Sequence, residues 1–319
     1  MKPARRLLSA LSIALLLISC RAPERRPIVV QGAMDVEVRA LAAALSGSTE
    51  ARVQGWTFWQ GTLDGYPVVV SKTLKGLAGA AAATAIAAER YHPIAIVNQG
   101  TAGGHEASLR VYDIVVGTHA VNLGSFKTGF RPAGRGSDLV EWMPLDLTRS
   151  DGSAGNDPNA RRMRRFEADG PLLAAALSVK DRYTRGRVVE GVIGSAEVWN
   201  SELDRIKRFH DQYGTSVEEM ETFAAAQIAD LFHIPFLGIR VVSNNITNDG
   251  AYDGKTAAAC QEYVSEVVKA YIKSLSQVGR VGQVGRVDKS GLPADLSRRS
   301  AERVGGSSPV ADERRRGTP

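Results

Sequence analysis

The sequence predicts an α/β protein, a three-layer α/β/α sandwich with a central mixed sheet. Short apolar runs, such as residues 28–30 and 93–97, have the length and composition of buried strands. Segments of helical length, several of them rich in alanine, alternate with these runs. Each apolar run is followed by a polar or glycine-rich loop, and ligands of such sheets bind beyond the carboxyl ends of the strands.

Individual elements follow from the same patterns. Two β-rich runs, residues 56–63 and 66–73, flank Asp64-Gly65, a dipeptide typical of two-residue hairpin turns. A run of acids and alanines at 216–226 predicts the start of a helix. The other predicted strands are 28–30, 93–97, 112–116, 120–123, 188–193 and 234–244, and the other predicted helices begin at Val36 or span 75–90, 171–181 and 255–275.

The amino terminus has the pattern of an export signal. Lys2, Arg5 and Arg6 precede an apolar run over residues 7–18, and Leu17-Ile18-Ser19-Cys20 resembles a bacterial lipobox. We therefore expect residues 1–19 to be a signal peptide, Cys20 to be acylated, and residues 20–26 to be a spacer. The protein is then exported, periplasmic or at the cell surface, and lipid-anchored to a bacterial membrane. The alternatives are an uncleaved anchor and a misassigned start.

Two further segments differ from the predicted domain at 27–275. Residues 126–169 are rich in Gly, Pro, Asp and Arg, and predict either a surface insertion or a loop that covers the site or faces a second subunit. Residues 276–319 are basic and repetitive and predict a disordered tail.

The distribution of charge argues against a nucleic-acid partner. Of the net charge of +6, residues 1–19 contribute +3 and residues 276–319 contribute +4, which leaves −1 for residues 20–275. A body of nearly zero net charge does not predict a groove for nucleic acid, and the basic tail either touches anionic lipid or solvates the chain.

Neither a metal nor a cofactor is expected. With Cys20 acylated, Cys260 is the remaining cysteine, which excludes an internal disulfide and predicts a small core residue in a helix. The five histidines lack metal-ligand spacing, and His105, beside the 100–104 loop, is predicted to lie at the surface, with contact to the substrate as the alternative. The sequence contains neither a P-loop nor a nucleophilic serine elbow.

Five motifs in order resemble the nucleoside phosphorylase superfamily, and within it the 5'-methylthioadenosine/S-adenosylhomocysteine nucleosidases. They are Gln31-Gly32-Ala33-Met34-Asp35-Val36-Glu37-Val38, Val97-Asn98-Gln99-Gly100-Thr101-Ala102-Gly103-Gly104, Tyr112-Asp113-Ile114-Val115-Val116, Glu219-Met220-Glu221 and Arg240-Val241-Val242-Ser243-Asn244. The resemblance covers residues 27–275 and implies a homodimer that acts on a purine nucleoside.

The resemblance implies the residues that handle the attacking water. Glu37 matches the acid that orients and deprotonates the water, so it is the expected general base. Thr101 matches a loop hydroxyl near the nucleophile, and Arg240 matches a position that holds the water or a nearby carboxylate. From the residues alone, Glu37 is equally explained as an acid at a helix N-terminus, and Arg240 as half of a surface ion pair.

The resemblance also implies the residues that bind the nucleoside. Glu221 matches the carboxylate that accepts hydrogen bonds from the ribose 2'- and 3'-hydroxyls, and Met220 matches a side chain against the sugar. Val198 and Trp199 match the segment that holds the purine. Met34 and Glu219 complete the expected substrate-binding set. Ordinary core packing is the alternative for Met220 and Trp199.

Asn244 departs from the nucleosidases, which have an aspartate there that protonates the departing purine. An amide hydrogen-bonds but cannot act as a general acid, and asparagine at this place is similar to the trimeric purine nucleoside phosphorylases, which favour 6-oxopurines. Asp249 could compensate if its loop folds back toward the site.

The expected function is hydrolysis of the N-ribosidic bond of 5'-methylthioadenosine, S-adenosylhomocysteine or a related nucleoside, as in methionine salvage. The alternatives are a purine nucleoside phosphorylase and a non-catalytic nucleoside-binding or storage relative. Glu37 favours water over phosphate as the nucleophile, because an acid in the first loop repels an anion and no basic residue lies in the 31–34 turn.

Overall fold

Buried apolar strands form the centre of the chain. The computed structural model describes residues 25–136, 141–145, 147–149, 161–163 and 165–284. The strands are β1 (Ile28–Gly32), β2 (Ser46–Val53), β3 (Trp56–Leu63), β4 (Tyr66–Lys72), β5 (Ala95–Gly104), β6 (Ile114–Asn122), β7 (Phe126–Lys127), β8 (Met143–Pro144), β9 (Leu147–Arg149), β10 (Arg161–Met163), β11 (Arg165–Glu167), β12 (Val188–Ser195), β13 (Thr215–Glu219) and β14 (Phe236–Asn244). The helices are α1 (Asp35–Ala44), α2 (Leu77–Tyr91), α3 (Gly170–Ser178), α4 (Leu203–Tyr213), α5 (Thr222–Leu231) and α6 (Thr256–Val284).

Ten strands form one mixed sheet, in the order β11-β6-β12-β13-β5-β1-β4-β3-β2, with β14 paired to both β5 and β6. The pairings of β5, β14, β6, β12 and β13 close on themselves, so this half of the sheet curls into a small barrel. The hairpin prediction is confirmed: β3 and β4 are antiparallel, and Asp64 and Gly65 both have positive φ.

Helices cover both faces of the sheet, which confirms the three-layer prediction. Alternate residues of a strand point to opposite faces. Ile28 and Val30 pack in a cluster with α1, α3 and α6, whereas Val29 packs in a second cluster with α2 and α5. Cys260 lies buried in the first cluster, as predicted for a small core residue.

The run at 216–226 does not form the start of a helix as predicted. Residues 215–219 form strand β13, which is buried along its whole length, and the helix begins only at Thr222. This strand pairs with β12 and β5, and these pairings make it one of the strands of the barrel wall. The acids of the run are therefore at a buried strand end rather than on a solvated helical turn.

The segment 126–169 is described in part. It contains two short two-stranded sheets, β7 with β8 and β9 with β10, and β11 joins the main sheet beside β6. None of its described residues lines the site described below, so the described part gives no support to a covering loop.

The chain termini lie mostly outside the described residues. This applies to the predicted signal peptide at 1–19, to Cys20, to the spacer as far as residue 24, and to the tail from residue 285. The last helix, α6, continues to Val284, so residues 276–284 are helical rather than disordered as predicted. Within the described residues, no helix combines the length and apolar character needed to cross a bilayer.

Candidate active site

A cleft of about 1300 Å³ opens where β1, β5 and β14 end. These strands are parallel, so their carboxyl ends meet at one edge of the sheet. The antiparallel pairing of β13 with β5 brings the end of β13 to the same place. Nine of the ten predicted site residues line this cleft: Met34, Glu37, Thr101, Val198, Trp199, Glu219, Met220, Glu221 and Asn244.

Glu37 is buried in the cleft wall, with four hydrogen bonds to its carboxylate. Oε2 accepts from the backbone N–H groups of Ala33 (2.9 Å) and Met34 (3.0 Å). Oε1 accepts from the backbone N–H of Thr101 (2.8 Å) and from its hydroxyl (2.9 Å). The carboxylate is therefore part of the cleft wall and is not simply an exposed acid at the start of α1.

Gly100 makes this placement possible. A Cβ at Gly100 would lie 2.7 Å from Glu37 Oε1, closer than any stable contact allows. The main chain of Glu37 is held as well, because Gln99 Nε2 donates to its carbonyl oxygen. The glycine is thus required by the close approach of the Glu37 carboxylate to β5.

Glu221 lies at the opposite wall, at the start of α5, and is buried. Its Oε1 accepts a hydrogen bond from the backbone N–H of Gly76 (2.9 Å) at the N-terminus of α2. Burial and the charge of neighbouring Glu219 raise the pKa of Glu221 to about 8. Without ligand, Glu221 therefore holds a proton at neutral pH, which differs from the ionised carboxylate that the resemblance implies.

Arg240 and Glu219 form a buried ion pair beneath the cleft. Arg240 Nε donates to Glu219 Oε2 (3.1 Å), and Nη2 contacts the same oxygen. Both side chains are 2% exposed. Burial alone raises the pKa of Glu219, but Arg240 and the hydrogen bond from Ser195 outweigh it and hold that pKa below its usual value.

The ion pair bears on the roles expected of Glu219 and Arg240. The Glu219 carboxylate is fully used inside the protein, by Arg240, Ser195 and the backbone N–H groups of Glu221 and Thr222, so its side chain is not placed to bind substrate as predicted. Arg240 does not line the cleft, and it holds the Glu219 carboxylate, which is one of the two roles that the resemblance allows. The alternative of a surface ion pair is wrong for Arg240, which is 1% exposed.

Two methionine side chains and two aromatic rings also line the cleft. Met34 and Met220 line it and are partly buried. Trp199 is 63% exposed at the mouth, and its ring meets that of Tyr252 edge-on at 5.9 Å between centroids. Because Trp199 is so exposed, core packing does not explain it. Tyr252 was not predicted, and it also hydrogen-bonds Thr101.

Asn244 lies at the end of β14 with its amide held in place. Ser243 Oγ lies 2.8 Å from Asn244 Oδ1 and 3.1 Å from the carbonyl oxygen of Ala102, so its single proton is shared between two acceptors. Asp249 also lines the cleft, because a short 3-10 turn at Ile246–Asn248 brings the loop back.

Glu218, His105 and Asn200 form a further polar group in the cleft. The sequence did not predict this group, and His105 was placed wrongly. The His105 side chain is 2% exposed, so the prediction that it lies at the surface is wrong. Its Nε2 contacts Glu218 Oε2 (2.9 Å), and Asn200 Nδ2 donates to the same oxygen (2.9 Å). The alternation of Glu218 and Glu219 along β13 was the available signal, since neighbours on a strand face opposite sides.

Among the described residues, no group of three or more His, Cys, Asp or Glu side chains has the geometry of a metal site. The cleft presents the Glu37 carboxylate, the Glu221 carboxyl, the Asn244 amide and the Thr101 hydroxyl.

The fold and the cleft together indicate the class of protein to which this chain belongs. Residues 27–273 match the family model of the phosphorylase superfamily, and the chain belongs to that family. The chain is 32% identical over 221 residues to the 5'-methylthioadenosine/S-adenosylhomocysteine nucleosidase of Anoxybacillus flavithermus, which covers 68% of this chain and 84% of the relative.

Solved structures agree on the fold. The Colwellia psychrerythraea 5'-methylthioadenosine/S-adenosylhomocysteine nucleosidase, solved in complex with adenine, is 26% identical, with a TM-score of 0.61 over 77% of this chain and 96% of that one. The futalosine hydrolase of Helicobacter pylori shares the fold at 20% identity, with a TM-score of 0.61 over 76% of this chain and 97% of that one. The predicted membership of the superfamily, with similarity to the 5'-methylthioadenosine/S-adenosylhomocysteine nucleosidases, is thus confirmed.

Proposed function

We propose that this protein is a purine nucleosidase that hydrolyses the N-ribosidic bond of 5'-methylthioadenosine, S-adenosylhomocysteine or a related nucleoside. The observation that carries the proposal is the position of Glu37 and Glu221, which come from opposite ends of the chain and line one cleft. The similarity to 5'-methylthioadenosine/S-adenosylhomocysteine nucleosidases supports the same reaction class.

The residues supply the parts that this reaction needs. The water oxygen bonds to C1' of the ribose as the bond from C1' to the base nitrogen breaks. Glu37 accepts the proton that the water loses. Glu221 binds the ribose hydroxyls, and its carboxylate form stabilises the positive charge that develops on the sugar.

The departing base has to gain a proton. Asn244 can hold the base by a hydrogen bond from its amide NH₂, but it has no acidic proton to give. Asp249 is the carboxyl of this loop that lines the cleft, which makes it the candidate proton donor. Adenine release by this chain is therefore expected to be slower than with an aspartate at position 244.

Phosphorolysis is the second candidate, favoured by Asn244 and by Lys75, a cation that lines the cleft. Against it, the Glu37 carboxylate lines the cleft, and a carboxylate there repels phosphate. A nucleoside-binding protein without turnover is the third candidate, and the intact Glu37 site speaks against it.

A nucleoside panel assayed with and without phosphate separates these candidates. We expect free base to be released from at least one purine nucleoside at the same rate in both conditions. Release that requires phosphate would select the phosphorylase, and binding without release would select the storage protein.

We also propose that Cys20 is acylated and anchors an exported homodimer to a bacterial membrane. The pattern at residues 17–20 supports the anchor. Wild-type protein is expected in the membrane fraction and Cys20→Ser in the soluble fraction. Equal partitioning of the two would contradict the anchor, and a monomeric mass in solution would contradict the dimer.

A further inference from the structure

The segment that follows Cys20 enters the domain at the edge of the sheet opposite the cleft. Strands β1, β4, β5 and β14 are parallel and all begin at this edge, which we call the anchor edge, whereas the cleft lies where β1, β5 and β14 end. Arg26 donates from its guanidinium group to the carbonyl oxygens of His92 and Pro93, just before β5. The hydroxyl of Tyr66, the first residue of β4, donates to the carbonyl oxygen of Arg26 (3.1 Å). The entry point is thus fixed to the starts of two parallel strands.

The last helix, α6, brings the chain back to the anchor edge. It begins four residues after Tyr252, which lines the cleft. Further along, burial raises the pKa of Tyr271, and Asp169 and Tyr66 add to that rise, so α6 passes the start of β4 here. The backbone N–H of Asp169 donates to the first carbonyl oxygen of β14 (2.9 Å). The segment 276–319, which contributes +4 to the net charge, therefore also leaves from the anchor edge.

The tether to Cys20 is shorter than the distance between the two edges of the sheet. Arg25 follows Cys20 by five residues, which span at most about 17 Å when fully extended. Along β5, Ala95 lies at the anchor edge and Thr101 binds Glu37 in the cleft wall, and these six steps cover about 20 Å. With the cleft against a bilayer, Arg25 would be too far from the surface for Cys20 to reach it.

The surface of the anchor edge presents both apolar and charged side chains. Leu231 and Phe232, at the end of α5 and shortly before β14, are 51% and 38% exposed. The charged side chains at this edge have both signs: Arg25, Arg26, Arg90, Asp64, Glu89 and Asp230. Since these charges nearly balance, the attraction to anionic lipid comes mainly from the basic segment that follows α6.

We propose that the anchor edge lies against the lipid headgroups of the membrane and that the cleft opens away from the membrane into water. The nucleoside then reaches Glu37 and Glu221 from the aqueous side without entering the bilayer. This inference rests on the proposed acylation of Cys20 and is independent of the proposed reaction.

Fluorescence quenching of the full-length, acylated protein in vesicles tests this orientation. Cys260 is buried, so a thiol-reactive fluorophore labels single cysteines that are added at the surface. Glu89→Cys and Leu231→Cys place the label at the anchor edge, and Ala251→Cys and Lys255→Cys are the matched controls beside the cleft, all at exposed positions. The vesicles contain phosphatidylethanolamine, phosphatidylglycerol and a lipid with a nitroxide quencher on its headgroup.

Labels at the anchor edge should lose at least about threefold more fluorescence than labels beside the cleft, because nitroxides quench at short range and the two edges are about 20 Å apart. Equal quenching at both edges, stronger quenching beside the cleft, or no quenching at any position would overturn the orientation. The second position at each edge serves if one variant does not fold.

Sedimentation with the vesicles separates this inference from the proposals on which it rests. Protein that stays in the supernatant would overturn the lipid anchor and the orientation together. Protein that sediments but shows the wrong pattern of quenching would overturn the orientation alone. The release of free base is measured in a separate assay, so neither result bears on the proposed hydrolysis.

Discussion

Glu37 and Thr101 are joined by two hydrogen bonds across 64 residues of sequence, from the backbone N–H and the hydroxyl of Thr101 to one carboxylate oxygen. With Ala33 and Met34 donating to the other oxygen, the carboxylate is held rigidly between the ends of β1 and β5. A general base works best when it is fixed in position before the substrate arrives. The Thr101 hydroxyl is the one donor of the four that can rotate away to admit water.

Glu37→Gln should strongly reduce hydrolysis and cost some stability, because the amide NH₂ cannot accept the two hydrogen bonds that each carboxylate oxygen of Glu37 accepts. The amide keeps the size of the side chain but cannot take a proton from water, so we expect kcat to fall by about 10²–10⁴. Asp35→Asn is the matched control, since Asp35 is a nearby acid on α1 that pairs with Lys72 and Arg39 outside the cleft. A Glu37→Gln variant with wild-type kcat would remove Glu37 from the mechanism.

Gly100→Ala should impair catalysis through Glu37. The added methyl group would lie 2.7 Å from Glu37 Oε1 and would displace the carboxylate. We expect kcat/KM to fall at least about tenfold, because small displacements of a catalytic group are costly. Gly129→Ala is the control, because no atom lies within 4 Å of its added Cβ. Equal activity of the two variants would show that the close approach at Gly100 has no role.

Asn244→Asp should speed the release of adenine. The carboxyl group can donate a proton to the departing base, which the amide cannot do. The steady-state rate of adenine formation from 5'-methylthioadenosine is the measurement, with Asn245→Asp as a neighbouring control. An unchanged rate in Asn244→Asp would count against the position assigned to this loop.

Glu221 should make stability depend on pH. Its folded-state pKa of about 8 lies above its usual value of 4.5, so the folded protein holds a proton that the unfolded chain has lost. Relative to Glu221→Gln, the stability of wild type should be level below pH 4.5, fall as pH rises from 4.5 to 8, and be level above pH 8. The total loss is on the order of 5 kcal/mol.

Melting temperatures of wild type and Glu221→Gln across pH 4 to 9 measure this difference. Subtracting the variant cancels the titration of the groups that do not interact with Glu221; Glu219 and Glu37, whose charges act on Glu221, are the exceptions. A difference that is constant with pH, or that grows in favour of wild type as pH rises, would show that Glu221 is ionised in the empty site.

Arg240→Met should destabilise the fold by about 3–5 kcal/mol, because it leaves Glu219 charged and buried without its partner. The double variant Arg240→Met, Glu219→Gln should recover part of this loss. Arg182→Met is the control, since Arg182 is 65% exposed and its pair with Glu266 is expected to contribute less than about 1 kcal/mol. Urea unfolding measures all three, and a small effect of Arg240→Met would contradict a structural role.

Local patterns predicted most of the fold. The buried strands are read from continuous apolar runs, and β14 is buried at every residue but the last, as expected of a parallel strand covered on both faces. Strand β2 was missed because its sequence, SGSTEARV, lacks the alternation of a half-buried strand. Helix α4 was missed as well, although Leu203, Ile206 and Phe209 have helical spacing and Gly214 ends the helix with positive φ.

The candidate site was harder to predict where burial depends on distant partners. Glu218 and Glu219 break the apolar pattern of β13, so the strand resembled a solvated helix start. They are buried because His105 and Arg240, far away in sequence, bind them. Local spacing contains no information on such pairs, and the motif order placed Glu219 in the cleft without showing that its carboxylate faces Arg240.

The most direct test of the whole account is a crystal structure of the protein with a C-nucleoside, in which a carbon–carbon bond replaces the bond that is hydrolysed. We predict that Glu221 lies within hydrogen-bond distance of the ribose 2'- or 3'-hydroxyl, and that a water about 3 Å from Glu37 faces C1' of the same sugar. A ligand that contacts only one of these two carboxylates, or that binds outside the cleft, would contradict the account.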